Sequence, residues 1–354
     1  MEKIKKIFES TLARAISAAL FVAFILSIFL FFDFYERKFN EVRGYYLVYK
    51  GDKAFKKHDL QKAISYYERG IVLHPRHYKA MYNLANIYVV YEDYYSALKN
   101  YEKALKVKPE YEIARIDYAI ILSETYKTDQ AIEEYKKVIE NAPKFYKIPF
   151  IVDNKKSYYY NRGVAYYNMG TAYRTKSLLS GLDDTTSRYY MMEASNSFEK
   201  ALDILKSYNS NYNMGLVNQL LKNKNRAGYF YCKAIEISPL EYEAHFNYAI
   251  LLNSIKEYTA AAEEFKKAGL LLDSNGDSDK TRYIYNILSE VNQRIAINND
   301  EEYFKKLSKQ EDESLGLKYK AGKIIYNDDD EAIEAFTKDF KTCAKRELFM
   351  GDEK

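Results

Sequence analysis

Few side chains in this sequence could do chemistry, and their spacing does not suit catalysis. The 354 residues include four histidines, His58, His74, His77 and His245. His74 and His77 flank Pro75 in a predicted turn, and no acidic or cysteine partner stands at metal-ligand spacing from any of the four. The carboxylate pairs Asp183–Asp184 and Glu263–Glu264 fall on a predicted loop and a predicted helix surface, where solvated charge is the expectation. There is no glycine-rich phosphate loop and no Gly-x-Ser-x-Gly turn to raise a nucleophilic serine. The two cysteines, Cys232 and Cys343, are too few for a disulfide framework or a zinc site. Both lie in apolar stripes of predicted helices and are expected to be small buried hydrophobes. The sequence therefore predicts no catalytic residue, no metal and no cofactor, and a function other than an enzyme's.

The chain offers aromatic and amide groups instead. It has 38 tyrosines and no tryptophan. With Lys, Ile and Asn also frequent, an AT-rich genome is the ordinary explanation; the sharper one is a binding surface, since tyrosine brings contact area and a hydroxyl. The net charge is only +4, with Lys and Glu interspersed, which gives no reason to expect a nucleic-acid partner. Hydrophobic residues at 47% and charged residues at 29% indicate a folded chain.

The elements that position these groups are legible from a repeating phrase. Ala63 with Tyr67, Ala97 with Tyr101 and Ala131 with Tyr135 recur at steps of 34 residues, each tyrosine eight residues before Pro75, Pro109 or Pro143. A fixed period of this size marks a repeat array. With a small residue three before a tyrosine, then Ala-x3-aromatic-x2-small and a closing proline, the pattern resembles the tetratricopeptide repeat. That resemblance implies an all-α solenoid of helix–turn–helix units. The small residues let paired helices approach closely, and the proline ends each second helix. Six clear units are expected, starting at Gly44, Tyr78, Glu112, Gly163, Tyr208 and Tyr242, within 44–143 for repeats 1–3 and 158–274 for repeats 4–6. Residues 144–157 interrupt them as a loop, and an insertion near 176–187 lengthens the fourth unit. Residues 279–354 are expected to form one or two degenerate repeats or capping helices, with Ala332, Ile333, Phe336, Phe340 and Cys343 as an apolar stripe.

The resemblance also implies that the first helices line a concave groove. Those helices carry aromatic–amide pairs: Tyr82 with Asn83 and Asn86, Tyr167 with Asn168, Tyr212 with Asn213, and Phe246 with Asn247. Stacking area beside an amide that both donates and accepts suits an extended polypeptide. The same pairs also fit a purely structural role within the repeat. A chaperone-type carboxylate clamp is not expected, because only Asn83 is retained among Val48, Asp52, Asn83, Ile113 and Asp117.

Ahead of the repeats, a short basic tail (1–14) precedes an uncharged run from Ala15 to Phe32. Eighteen residues of helix span roughly 27 Å, close to the hydrocarbon thickness of a bilayer. A single transmembrane helix over 15–35 is expected, not cleaved, with a juxtamembrane linker over 36–43. The expected placement is a bacterial inner membrane with the repeats extracytoplasmic. The expected function is a membrane-anchored protein–protein scaffold for envelope machinery that binds a protein or peptide. A cytosol-facing adaptor for targeting segments and a self-associating structural array are the alternatives.

Overall fold

The computed structural model describes residues 2–141, 154–179, 181–274, 278–297 and 340–350. Among them every regular element is a helix. The chain divides into two compact units, residues 1–121 and 122–354, with the division inside a helix.

The first unit begins with α1 (Glu2–Leu30) and α2 (Phe32–Lys56). The expected single span over 15–35 is therefore not one helix. It breaks at Phe31, whose φ/ψ of −114/18 leaves the helical range, and the helices on either side diverge by 68°. The break falls within a run of aromatics with poor helix propensity, from Phe29 to Tyr35. Among the described residues no single helix is long and apolar enough to cross a membrane, whereas this bent pair is, by length and composition. The expected linker over 36–43 is helical, because α2 runs without interruption into the first repeat.

Antiparallel hairpins follow. In the first unit α2 pairs with α3 (Leu60–Leu73), and α4 (Tyr78–Val90) pairs with α5 (Tyr94–Val107); α6 (Glu112–Glu124) carries the division. In the second unit α7 (Thr128–Glu140) is followed by α8 (Asn154–Ser177) paired with α9 (Asp184–Leu205). Then α10 (Tyr208–Leu220) pairs with α11 (Lys224–Ile237), and α12 (Tyr242–Ser254) with α13 (Tyr258–Ser274). Helix α14 (Ser278–Ile297) packs on α13, and a short α15 (Glu347–Met350) packs on α11.

Local chemistry sets the ends of the first hairpins. Asp59 and Asp93 cap α3 and α5 by accepting from the Lys62 and Ser96 amides. His77 Nδ1 does the same for α4, accepting from Ala80 at 3.1 Å. Pro75, Pro109 and Pro239 each follow the end of a second helix by two residues. Ala63, Ala97 and Ala131 are fully buried, and Tyr67, Tyr101 and Tyr135 are almost so, which makes the repeated phrase a packing device. Where the unit has glycine at the close approach, an aromatic ring takes its Cβ space: Tyr67 over Gly51, Phe198 over Gly170 and Tyr231 over Gly215.

The insertion near 176–187 lengthens both helices of its hairpin, α8 to 24 residues and α9 to 22, with a short connection between them. Of the expected loop over 144–157, residues 154–157 open α8, and the rest lies outside the described residues. Ala332, Ile333 and Phe336 also lie outside them.

Candidate partner-binding face

The aromatic–amide pairs lie on the first helices, and their hydrogen bonds run from one repeat to the next. In the second unit, Asn213 Nδ2 donates to the Tyr167 hydroxyl at 3.1 Å, and Asn247 Nδ2 donates to the Tyr212 hydroxyl at 2.9 Å. In the first, the Tyr82 hydroxyl donates to Asp117 Oδ2 at 2.8 Å. The tyrosine of one repeat thus meets the polar residue one repeat and one position further on, 35 residues away for Tyr82–Asp117 and Tyr212–Asn247. For Tyr167–Asn213 the insertion stretches this to 46. Asp117 stands where the other steps have asparagine.

The remaining predicted residues pack around this ladder. Asn83 Nδ2 reaches back to Asp52 Oδ1 at 3.3 Å, and Asp52 accepts from the Tyr67 hydroxyl at 2.7 Å. Asn86 Oδ1 accepts from the Tyr101 hydroxyl. Asn168 turns to its own helix, donating to the Val164 carbonyl at 3.0 Å. Asn213 is 5% exposed, and its Oδ1 accepts from Arg174 at 2.7 Å. Phe246 has no hydroxyl; its ring packs edge-on to Phe265 at 5.7 Å. Tyr82 lies 5.2 Å from Tyr111, and Tyr212 stacks on Tyr208 at 5.7 Å with the rings 5° from parallel.

The ladder decides what this face can offer. Asn247 donates to the Glu243 carbonyl as well as to Tyr212, so both amide hydrogens are committed and its Oδ1 accepts. The Tyr167 and Tyr212 hydroxyls accept from asparagine, and each keeps its own hydrogen to donate. Burial raises the Tyr212 hydroxyl to about 12, which keeps it a donor at every physiological pH. Asp117 is a carboxylate among Tyr82, Tyr101 and Tyr111, and burial pushes its pKa up despite the hydrogen bond from Tyr82. The sequence pairs alone do not reveal the step of one repeat plus one residue that links them, nor Arg174. That step could have been found by aligning the units and reading across them.

Two expectations about chemically capable residues need correction. Cys232 and Cys343 are not free thiols: they form a disulfide between α11 and a non-helical stretch at residues 341–346. Their 111-residue separation hid the pairing, but the fold brings their Cα atoms to 5.7 Å. Glu264 is not a solvated surface acid but fully buried, with His245 Nδ1 at 2.6 Å, Lys267 Nζ at 2.9 Å and the Ala344 amide at 2.8 Å. Burial alone would raise this carboxyl; Lys267, His245 and the Ala344 N–H outweigh it and hold it well below its ordinary 4.5. The Tyr248 hydroxyl donates to the Ala344 carbonyl at 2.7 Å, and Lys267 donates to the Thr342 carbonyl at 2.7 Å. These groups strap residues 340–349 onto α11–α13. Among the described residues no cluster of three or more His, Cys, Asp or Glu could hold a metal ion.

The fold and this face define an all-helical hairpin-repeat protein. More narrowly, two models of the tetratricopeptide repeat match, over residues 50–90 and 78–111, and this chain carries that repeat. No curated protein matches the chain. Solved structures similar to it include pilF of Pseudomonas aeruginosa, at 13% identity and TM-score 0.49, covering 64% of this chain and 90% of that one. A tetratricopeptide repeat protein of Parabacteroides merdae is 17% identical with TM-score 0.46, covering 75% and 98%. YrrB, described as having an unusual peptide-binding site, is 20% identical with TM-score 0.41, covering 56% and 88%.

Proposed function

We propose that this protein is a non-catalytic, membrane-anchored scaffold that holds a protein or peptide segment along its first helices, in the assembly or maintenance of envelope machinery. The observation that carries this reading is the ladder from Tyr167 through Tyr212 to Asn247. It fixes the amides and leaves tyrosine hydroxyl hydrogens and an amide oxygen for an extended backbone. In the first unit, Asp117 and Asp52 add carboxylate acceptors beside tyrosine rings, a setting for a segment bearing a lysine or arginine.

The bent pair supplies the anchor in this reading, with the apolar run of α1 and the first turn of α2 buried together in the membrane. The Cys232–Cys343 bond supports an extracytoplasmic second unit, because disulfides persist in oxidising compartments. Protease added to sealed spheroplasts should digest the C-terminus; protection until the membrane is opened would reverse the orientation. For the face itself, replacing Tyr82, Asn83, Tyr167 and Asn168 together should weaken partner capture while circular dichroism stays helical. If the variant instead loses its helical signal, those residues belong to the scaffold alone.

A further inference from the structure

Helix α2 has two faces, and only one of them is used by the repeat. Gly44, Val48, Gly51 and Ala54 are its buried residues, packed toward α3. A second row, Phe32, Tyr35, Phe39, Val42, Tyr46 and Tyr49, is exposed, with every member more than half accessible. At 100° per residue the centres of the two rows lie roughly 155° apart, so the aromatic row points away from the repeat. Cations sit on the same side. Arg43 lies over the Phe39 ring at 5.7 Å, Lys50 over Tyr46 at 4.8 Å and Lys53 over Tyr49 at 4.7 Å. The acids of α2, Asp33, Glu36, Glu41 and Asp52, lie about 90° or more from the centre of the row.

We infer that this face of α2 lies on an anionic lipid surface. The inference rests on the anchor reading above and extends it to the orientation of the first unit. A row of aromatics flanked by cations, without acids, is what an interfacial helix presents to phospholipid headgroups. The rings sit at the acyl boundary and the long Lys and Arg side chains reach up to phosphate. The geometry suits it as well: α2 leaves α1 at 68°, so with the apolar run buried as far as the first turn of α2, the rest of α2 turns toward the plane of the membrane. A second copy of the chain fits less well, because it would set its own Arg43, Lys50 and Lys53 against these, like charge on like. Helix α2 would then lie between the lipid and α3.

The absence of tryptophan makes the test clean. Full-length Tyr46→Trp protein is reconstituted into vesicles of phosphatidylcholine alone or with about one third phosphatidylglycerol, each with lipid brominated near the headgroup end of its chain. Flotation after an alkaline wash reports the anchor separately. The expected result is at least about twofold quenching of Trp emission in anionic vesicles, lost in the Arg43→Gln, Lys50→Gln, Lys53→Gln background and at high salt. A control Tyr91→Trp protein, with its probe in the α4–α5 turn, should not be quenched. Protein that floats with an unquenched probe overturns the inference and leaves the anchor standing. An emission blue-shifted without lipid quenching, in protein that crosslinks to itself, assigns the face to a second copy and also overturns it. Protein that does not float removes the anchor, and this inference falls with it.

Discussion

Breaking the Cys232–Cys343 bond should loosen the second unit without unfolding it. The bond closes a loop of 111 residues between α11 and the strap at 340–349. By loop-closure entropy, a cross-link of this length disfavours the unfolded chain by about 4.8 kcal/mol. The strap keeps other holds in its absence: Tyr248 and Lys267 on its carbonyls, Glu264 on the Ala344 amide, and Phe349 5.7 Å from Tyr248. A Cys343→Ala variant is therefore expected to fold. With a urea slope of about 2–3 kcal/mol per molar, its midpoint should fall by roughly 2 M relative to the oxidised protein. The assay is urea unfolding followed by far-ultraviolet circular dichroism, with and without reductant, on wild type and variant. Reductant should move wild type to the variant's midpoint and leave the variant unchanged. If wild type unfolds at the same urea concentration in both conditions, and releases two titratable thiols when denatured without reductant, the reasoning is refuted.

Other consequences follow from single residues. The turn between the helices of a hairpin places His58, Glu92, Tyr126, Lys222 and Lys256 at φ of 58–70°, where a side chain is strained. Tyr126 is 91% exposed, so Tyr126→Gly should raise stability by about 1 kcal/mol, read as a higher melting temperature; a lower one would show that the ring does more than occupy the turn. Gly215→Ala should destabilise by about 1–3 kcal/mol, because the added Cβ would meet the Tyr231 ring at 2.5 Å in a fully buried site; an unchanged melt would contradict that packing. Glu264, with its pKa held below 4.5 in the folded state, contributes stability that is whole above that value and lost as pH falls beneath it. Melting temperatures taken from about pH 6 down to pH 3 should fall less steeply for Glu264→Gln than for wild type, and equal slopes would assign the acid sensitivity elsewhere.

The repeats were readable because they are local. Ala97 and Tyr101 lie one helical turn apart, and steps of 34 residues set the same pair in each unit, so sequence distance and spatial distance agree. What escaped is non-local or lies in backbone angles. Cys343 and Glu264 looked ordinary because their partners, Cys232 and Ala344, lie 111 and 80 residues away. The apolar run from Ala15 reads as one straight helix, since hydropathy carries no backbone angle and does not register the departure from helix at Phe31. The continuity of α2 from Phe32 was hidden for a different reason. Its exposed aromatics and cations read as a linker beside a membrane, although their 3–4 spacing is helical. On the candidate face, the residues were visible but their bonding was not: Tyr212 and Asn247 become a pair only when neighbouring units stack.

The central claim, that the first helices hold a partner polypeptide, is tested most directly by site-specific photocrosslinking in intact membranes. A photoreactive phenylalanine replaces Tyr212 on the ladder, and in a second variant Leu220 at the exposed end of the same helix. The account predicts a discrete adduct with another polypeptide from position 212 that is absent from position 220 and is lost when Tyr167 and Asn247 are also replaced. Crosslinking from 212 only to this same chain, or equally from both positions, would contradict it.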